Sequence, residues 1–202
     1  MSKHCMENMT LMTFKNDKRI ICCDHMLCEK CGHKVIMPPM PRQEWYESLD
    51  DVIIYTDGSV SGNGKPDAIG GWATILQAYR IGKGMIAEVE KCGKLVYDTD
   101  NCPVTNNRAE MYGILRALES ITKPCKVKVY SDSEWCVKTI NGEYHKKTNL
   151  DLWDRLDAVI QELERIGCWV VVSWVKGHAD DELNKRVDKM ASKVKREGEK
   201  SK

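Results

Sequence analysis

No stretch of this 202-residue chain is long and apolar enough to cross a bilayer. The opening MSKHCMENM also lacks the basic region, apolar core and small-residue cleavage site of a signal peptide. These two absences give the expectation of a cytoplasmic, intracellular protein with no membrane partner. Charge of one sign is missing too. Lys and Arg number 31 against 30 Asp and Glu, a net charge of +1, so no overall field gathers polyanions, and any grip on nucleic acid must come from local placement of cations. No internal repeat is visible. What remains, at 42% hydrophobic and 30% charged residues, is an ordinary globular composition with room for one real core and a small appendage.

Ten cysteines need an explanation, because in a reducing compartment metal ligation or buried thiols are better readings than a disulfide scaffold. Five cluster at Cys5, Cys22, Cys23, Cys28 and Cys31. The other five, Cys92, Cys102, Cys125, Cys136 and Cys168, have no ligand-like spacing and read as small core hydrophobes. Cys28-x-x-Cys31-Gly32 has the form of a zinc knuckle, in which two nearby thiolates share an ion while glycine relaxes the turn. A segment of about 40 residues hardly builds its own core. That favours a structural Zn²⁺ on Cys5, Cys23, Cys28 and Cys31, with Cys22, His4, His25 or His33 as substitutes and free thiols as the alternative. Pro38, Pro39 and Pro41 follow as a stiff spacer. The expected organisation is a zinc-ribbon-like module with its linker at 1–43, a main domain at 44–196 and a flexible charged tail at 197–202.

Within the main domain, Asp51 to Asp57, GGWATILQAY and GMIAEVEKCGKLVYD read as strands of a meander joined by glycine-containing turns. From Asn106 the period becomes helical, with Ile114, Leu115, Leu118 and Ile121 on one side. KVKVYSD is a strand. Leu152, Trp153, Leu156, Val159, Ile160 and Leu163 line an amphipathic helix, and the β-branched, aromatic run CWVVVSWV is a further strand. A last helix starts near residue 180 and carries Leu183, Val187, Met190, Ala191 and Val194. The order βββαβ(α)αβα implies one mixed α/β sheet with helices on its faces.

Several carboxylates stand where neither a core nor a turn requires them. Asp57 ends its predicted strand in IIYTDGS and Asp132 ends another in VYSD, and strand C-termini are where α/β sheets place ligands. Asp before Gly or Ser is also a common turn former, yet neighbouring strands about 5 Å apart would bring both groups onto one ion. Glu110 aligns with Ile114 and Leu118, which aims it at the sheet, where a lone ionised group is costly. The competing reading is a capping box, Asn107-x-x-Glu110. Asp188 flanks Val187 and Ala191 on the last helix, and His178 lies in the loop VKGHADDELN. Taken alone, they read as a solvated helix charge and an exposed imidazole.

In order, YTDGS, TNNRAEMYG, YSDSEW, NLDLWDRLD and WVKGHADDELNKRVDKMA resemble the successive motifs of type 1 ribonuclease H across roughly residues 51–195. The resemblance implies a ribonuclease H-like mixed five-stranded sheet with helices on both faces. It implies an endonuclease, active as a monomer, that cuts the RNA strand of RNA/DNA hybrids and leaves 5′-phosphate and 3′-hydroxyl ends. Asp57, Glu110, Asp132 and Asp188 then hold two Mg²⁺ ions, with Mn²⁺ as a substitute, and His178 assists proton movement or product release. Such chemistry needs a phosphodiester neutralised, a water activated and a leaving oxygen stabilised, which paired divalent ions on hard oxygen ligands supply. Gly58, Ser59, Asn63, Asn106, Asn107 and Asn184 fall where the family reads 2′-hydroxyls in the minor groove. On this reading Gly58 and Ser59 are small so that the sugar-phosphate chain can approach. The alternative is a non-catalytic nucleic-acid adaptor on the same fold.

Three features depart from the family pattern. Glu134 stands where many relatives have Gln, Lys185 replaces an acidic residue found in some, and the short INGEYHKKTNLDLW reduces a basic protrusion to Lys146 and Lys147. With little cationic surface there, the cysteine-rich head is read as a source of hybrid affinity. Deleting residues 1–43 is expected to raise the apparent KM for hybrid more than it lowers kcat; an unchanged KM discards that role.

Overall fold

The structure, a computed structural model, describes residues 49–96, 102–177 and 181–200, together with the backbone of three short strands nearer the N-terminus. Two compact units divide between Ser48 and Leu49, slightly later than the expected boundary at 43/44. In the first unit β1 (Met9–Met12), β2 (His25–Cys28) and β3 (Lys34–Ile36) form an antiparallel sheet, with Met9 opposite Cys28 and His25 opposite Ile36. The expected zinc ligands Cys5, Cys23 and Cys31 lie outside the described residues, as does the proline spacer, and Cys28 is described only as a backbone position of β2.

The second unit is built on β4 (Asp51–Ser61), β5 (Ile69–Arg80), β6 (Gly84–Val96), β7 (Lys126–Ser131) and β8 (Trp169–Trp174). Their order is β6-β5-β4-β7-β8, antiparallel from β6 to β4 and parallel from β4 to β8. This is the mixed five-stranded sheet expected. Among the described residues four helices accompany it: α1 (Asn106–Leu118), α2 (Glu134–Ile140), α3 (Leu150–Arg165) and α4 (Glu182–Lys200).

Alternation along the strands decides which side chains meet which helix. Ile54, Val127, Val129 and Val172 point to one face, where Ile114, Leu115 and Leu118 of α1 and Leu152, Trp153 and Leu156 of α3 close a continuous core. Full burial of each such side chain contributes about 1.5–3 kcal/mol. On the opposite face Ala73 and Ile75 of β5 receive Val187 and Ala191 of α4. Helices therefore lie on both faces.

α4 approaches the sheet very closely. A Cβ at Gly71 would lie 2.4 Å from the Ala191 carbonyl oxygen, so only glycine allows this contact. Residues 197–200, expected in a charged tail, instead complete α4: Gly198 is buried against Ile69 and Lys94 while Glu197, Glu199 and Lys200 face solvent. Cys125, Cys136 and Cys168 are buried as expected; Cys102 is half-buried, and Cys92 is exposed on edge strand β6, contrary to its reading as a core residue. Replacement Gly71→Ala is expected to cost about 1–3 kcal/mol of stability through overpacking, measured as a lower urea midpoint at unchanged slope. An unaltered midpoint would mean that α4 shifts without resistance.

Candidate metal centre

Parallel pairing of β4 with β7 runs through Tyr55↔Tyr130 and ends at Thr56↔Ser131. The next residues on the two strands are Asp57 and Asp132. β7 stops there, whereas β4 continues to Ser61 against β5, with Ser61 opposite Ile69. Asp57 is thus inside its strand rather than at its end, because the antiparallel ladder outlasts the parallel one.

The third carboxylate arrives from α1. Thr105 caps this helix, its Oγ1 accepting from the Arg108 N–H at 3.2 Å. The helix starts at Asn106, so Asn107 is not the cap and the capping-box reading of Glu110 does not hold. Gly58 explains the approach: a Cβ there would lie 2.4 Å from the Glu110 nitrogen and 2.5 Å from the Ala109 carbonyl carbon. Gly58 is small so that the first turns of α1 can rest on β4, which differs from the substrate clearance expected from the sequence. Its own N–H donates towards both Asp57 and Glu110.

One ligand oxygen from each of Asp57, Glu110 and Asp132 lies within 4.8 Å of the other two. Asp57 is buried, and Glu110 Oε2 is cut off from solvent with no hydrogen-bond partner. Burial, followed by the charges of Asp132 and Asp188, pushes the Asp57 carboxyl up to about 7. Burial and the charges of Asp57 and Asp132 hold Glu110 well above the ordinary carboxylate range. Asp188, on α4, adds its field to both without its oxygens joining the group of three. His178 lies outside the described residues. The turn preceding it is packed on the cluster, since a Cβ at Gly177 would lie 2.7 Å from Asp132 Oδ2.

The expected groove residues divide into two kinds. Asn63, Asn106 and Asn107 are exposed beside the start of α1, where Asn63 Oδ1 accepts from the Asn106 N–H at 2.8 Å. Asn184 is only 3% exposed, with Oδ1 unpartnered, which leaves no surface for a direct groove contact in this conformation. Ser59 Oγ accepts from Lys195 Nζ at 2.8 Å and lies 3.4 Å from Ser192 Oγ. Lys195, inside the expected main domain at 44–196, was missed by sequence reasoning. The available signal was its spacing of two helical turns from Asp188.

Arg108 was missed as well. It is buried and donates to both Asp151 oxygens at 2.9 and 2.7 Å, tying the start of α1 to the start of α3. Among the departures, Glu134 is exposed and pairs with Lys138, Lys185 pairs with Glu182 at 3.8 Å, and Lys146 donates to Asp157 on α3. Lys146 is therefore held against α3 rather than offered outward.

The family model described as RNase H matches residues 50–196. A protein of Phenylobacterium zucineum named Ribonuclease H is 38% identical over 156 residues, spanning 71% of this chain and 89% of that protein. The crystal structure of LC9-RNase H1, a type 1 RNase H with the type 2 active-site motif, matches with a TM-score of 0.58 at 21% identity, covering 74% of each chain. That of LC11-RNase H1 in complex with RNA/DNA hybrid matches at 0.53 and 21% identity, covering 72% of this chain and 97% of that one.

A carboxyl with a raised folded-state pKa binds its proton more tightly folded than unfolded. Its stability contribution is full below the ordinary carboxylate range and is lost as pH rises through about 7. Relative to Asp57→Asn, the metal-free protein is expected to lose melting temperature over that interval. Mg²⁺ should accordingly raise the midpoint more at about pH 8 than at about pH 6, where it must displace protons. Equal Mg²⁺ shifts in calorimetry at the two values would show that proton and cation do not compete.

Proposed function

Because the chain belongs to the ribonuclease H family, we propose that it hydrolyses the RNA strand of RNA/DNA hybrids endonucleolytically at this carboxylate cluster, giving 5′-phosphate and 3′-hydroxyl ends. The observation that carries the reading is the meeting of Asp57, Glu110 and Asp132 within 4.8 Å, with a buried, unpartnered Glu110 oxygen. Mutually repelling oxygens held this closely are suited to a divalent cation. The donors fit one: all are hard carboxylate oxygens, which favour Mg²⁺ or Mn²⁺. Asp57, Glu110 and Asp132 would hold it, with Asp188 at the edge contributing to a second position. When bound, paired ions supply charge neutralisation at the phosphodiester and activation of water.

The chain's own residues do the rest. The β4–β7 register and α1 fix the three carboxylates before substrate arrives, so little reorganisation is needed. Asn63, Asn106 and Asn107, exposed around the start of α1, would read 2′-hydroxyls, and the hybrid complex of LC11-RNase H1 supports this choice of substrate. Ser59 and the ammonium of Lys195 form a polar step next to Asp57, suited to a backbone phosphate. His178 is assigned to proton movement or product release.

The test incubates labelled RNA/DNA hybrid, duplex DNA and duplex RNA with the protein and Mg²⁺, in parallel with Asp132→Asn. Cutting of the hybrid alone is expected, abolished by chelation and reduced about 10²–10³-fold in the variant. Tight hybrid binding without cutting would instead make the protein an adaptor, and equal cutting of duplex DNA would overturn the substrate assignment.

A further inference from the structure

Cys125 and Cys168 stand at the entrances to β7 and β8. These strands pair in parallel from Lys126↔Trp169, and the Trp169 N–H donates to the Cys125 carbonyl at 3.0 Å. The cysteines therefore occupy adjoining positions one residue before the ladder begins. Alternation puts Cys125 on the side of Val127 and Val129, and Cys168 on the side of Val170 and Val172, which is the face closed by α1 and α3. The two side chains are hydrogen-bonded to each other, and the Cys168 thiol also donates to the Lys123 carbonyl at 3.3 Å. Both residues are 6% exposed. Burial alone would be served by any pair of small apolar residues; it does not require sulfur against sulfur on neighbouring strands.

The geometry points to Cys125 and Cys168 as a redox-sensitive dithiol that hydrogen peroxide converts to a disulfide, stapling the entry ends of β7 and β8. Adjacent strands are about 4.8 Å apart, inside the roughly 4.4–6.8 Å over which a disulfide joins two Cα atoms. In the first step a Cys168 thiolate attacks one peroxide oxygen and the O–O bond breaks, giving a sulfenic acid and hydroxide. In the second the Cys125 sulfur attacks the sulfenic sulfur, the S–S bond forms and water leaves. Together the two thiols lose two protons and two electrons, and the peroxide ends as two waters. Cys168 is the sulfur that ionises first: the hydrogen bond from the Cys125 side chain draws it down to about 7 against the effect of burial, and the same bond pushes Cys125 up. The staple would lie at the end of the sheet opposite Asp132, which leaves β7, so it constrains the scaffold without entering the carboxylate cluster.

The experiment uses the reduced full-length protein, exposed to hydrogen peroxide, alkylated in denaturant and digested for mass spectrometry. The expected result is a peptide pair linked through Cys125 and Cys168, lighter by two hydrogens than the separate peptides and released by dithiothreitol. Melting temperature should rise by about 5 °C or more on oxidation and return on reduction, while Cys125→Ser and Cys168→Ser show no such rise. Recovery of both cysteines as separately alkylated thiols overturns the inference, as does pairing of either with another cysteine. The linkage is read in the unmodified sequence, so it remains decisive if a variant fails to fold.

Discussion

Like charges are brought together here by a backbone arrangement that does not depend on them. The parallel register of β4 and β7 makes Asp57 and Asp132 the first residues beyond the shared ladder, and the missing side chain of Gly58 lets α1 lower Glu110 beside them. Repulsion and burial then act against ionisation, which is why Asp57 and Glu110 both hold their protons more tightly than exposed carboxyls do. Isolated, this arrangement would spring apart. The apolar core on the α1 and α3 side and the close seat of α4 on Gly71 resist that, so packing free energy is converted into a preformed cluster of carboxyl groups.

The same logic assigns work to residues remote from the cluster. Arg108 is buried at the start of α1 and grips Asp151 with two parallel hydrogen bonds. A bidentate pair restricts rotation as well as distance, so the helix that carries Glu110 is fixed at its N-terminal end by Thr105 below and by α3 alongside. Gly177 plays a comparable part from β8, since its lack of a side chain lets the turn close over Asp132. Glu110 and Asp132 are thus each positioned by two independent elements.

Much of this was legible in the sequence, because the hydrophobic period distinguishes strands from helices and the core is built from those periodic positions. The mixed sheet and its helices follow from that pattern, whereas the convergence of Asp57, Glu110 and Asp132 was implied by the resemblance of their motifs to type 1 ribonuclease H. What was not legible depends on contacts between segments far apart in the chain. Nothing local to Gly58 reveals that its partner is the backbone of Ala109 and Glu110 rather than a ligand. The end of α4 was misread because Lys195 to Lys200 is highly charged and contains Gly198; the structure shows that glycine supplying the flat contact with Ile69 which lets the helix continue. The resemblance put Asn184 among the groove residues, and its burial was not legible because burial of a single amide leaves no trace in local composition.

Two populations of carboxyl groups give the fold opposite responses to pH. Hydrogen bonds from Arg108 hold Asp151 below the usual carboxylate range, so its contribution is in place above that range and disappears only as acid protonates it. The contribution is modest, because Asp151 is partly exposed and solvent screens the pair. Asp57 and Glu110 behave in the reverse sense, stabilising the protonated form and opposing the fold once ionised. Above about pH 7 the scaffold pair is fully formed while the cluster takes on the strain of ionisation. A divalent cation held by the cluster would relieve that strain there and leave the Arg108–Asp151 pair untouched. On the proposed function, cation binding and the integrity of the site are therefore coupled through these carboxylates, while the scaffold that positions them stands without a cation.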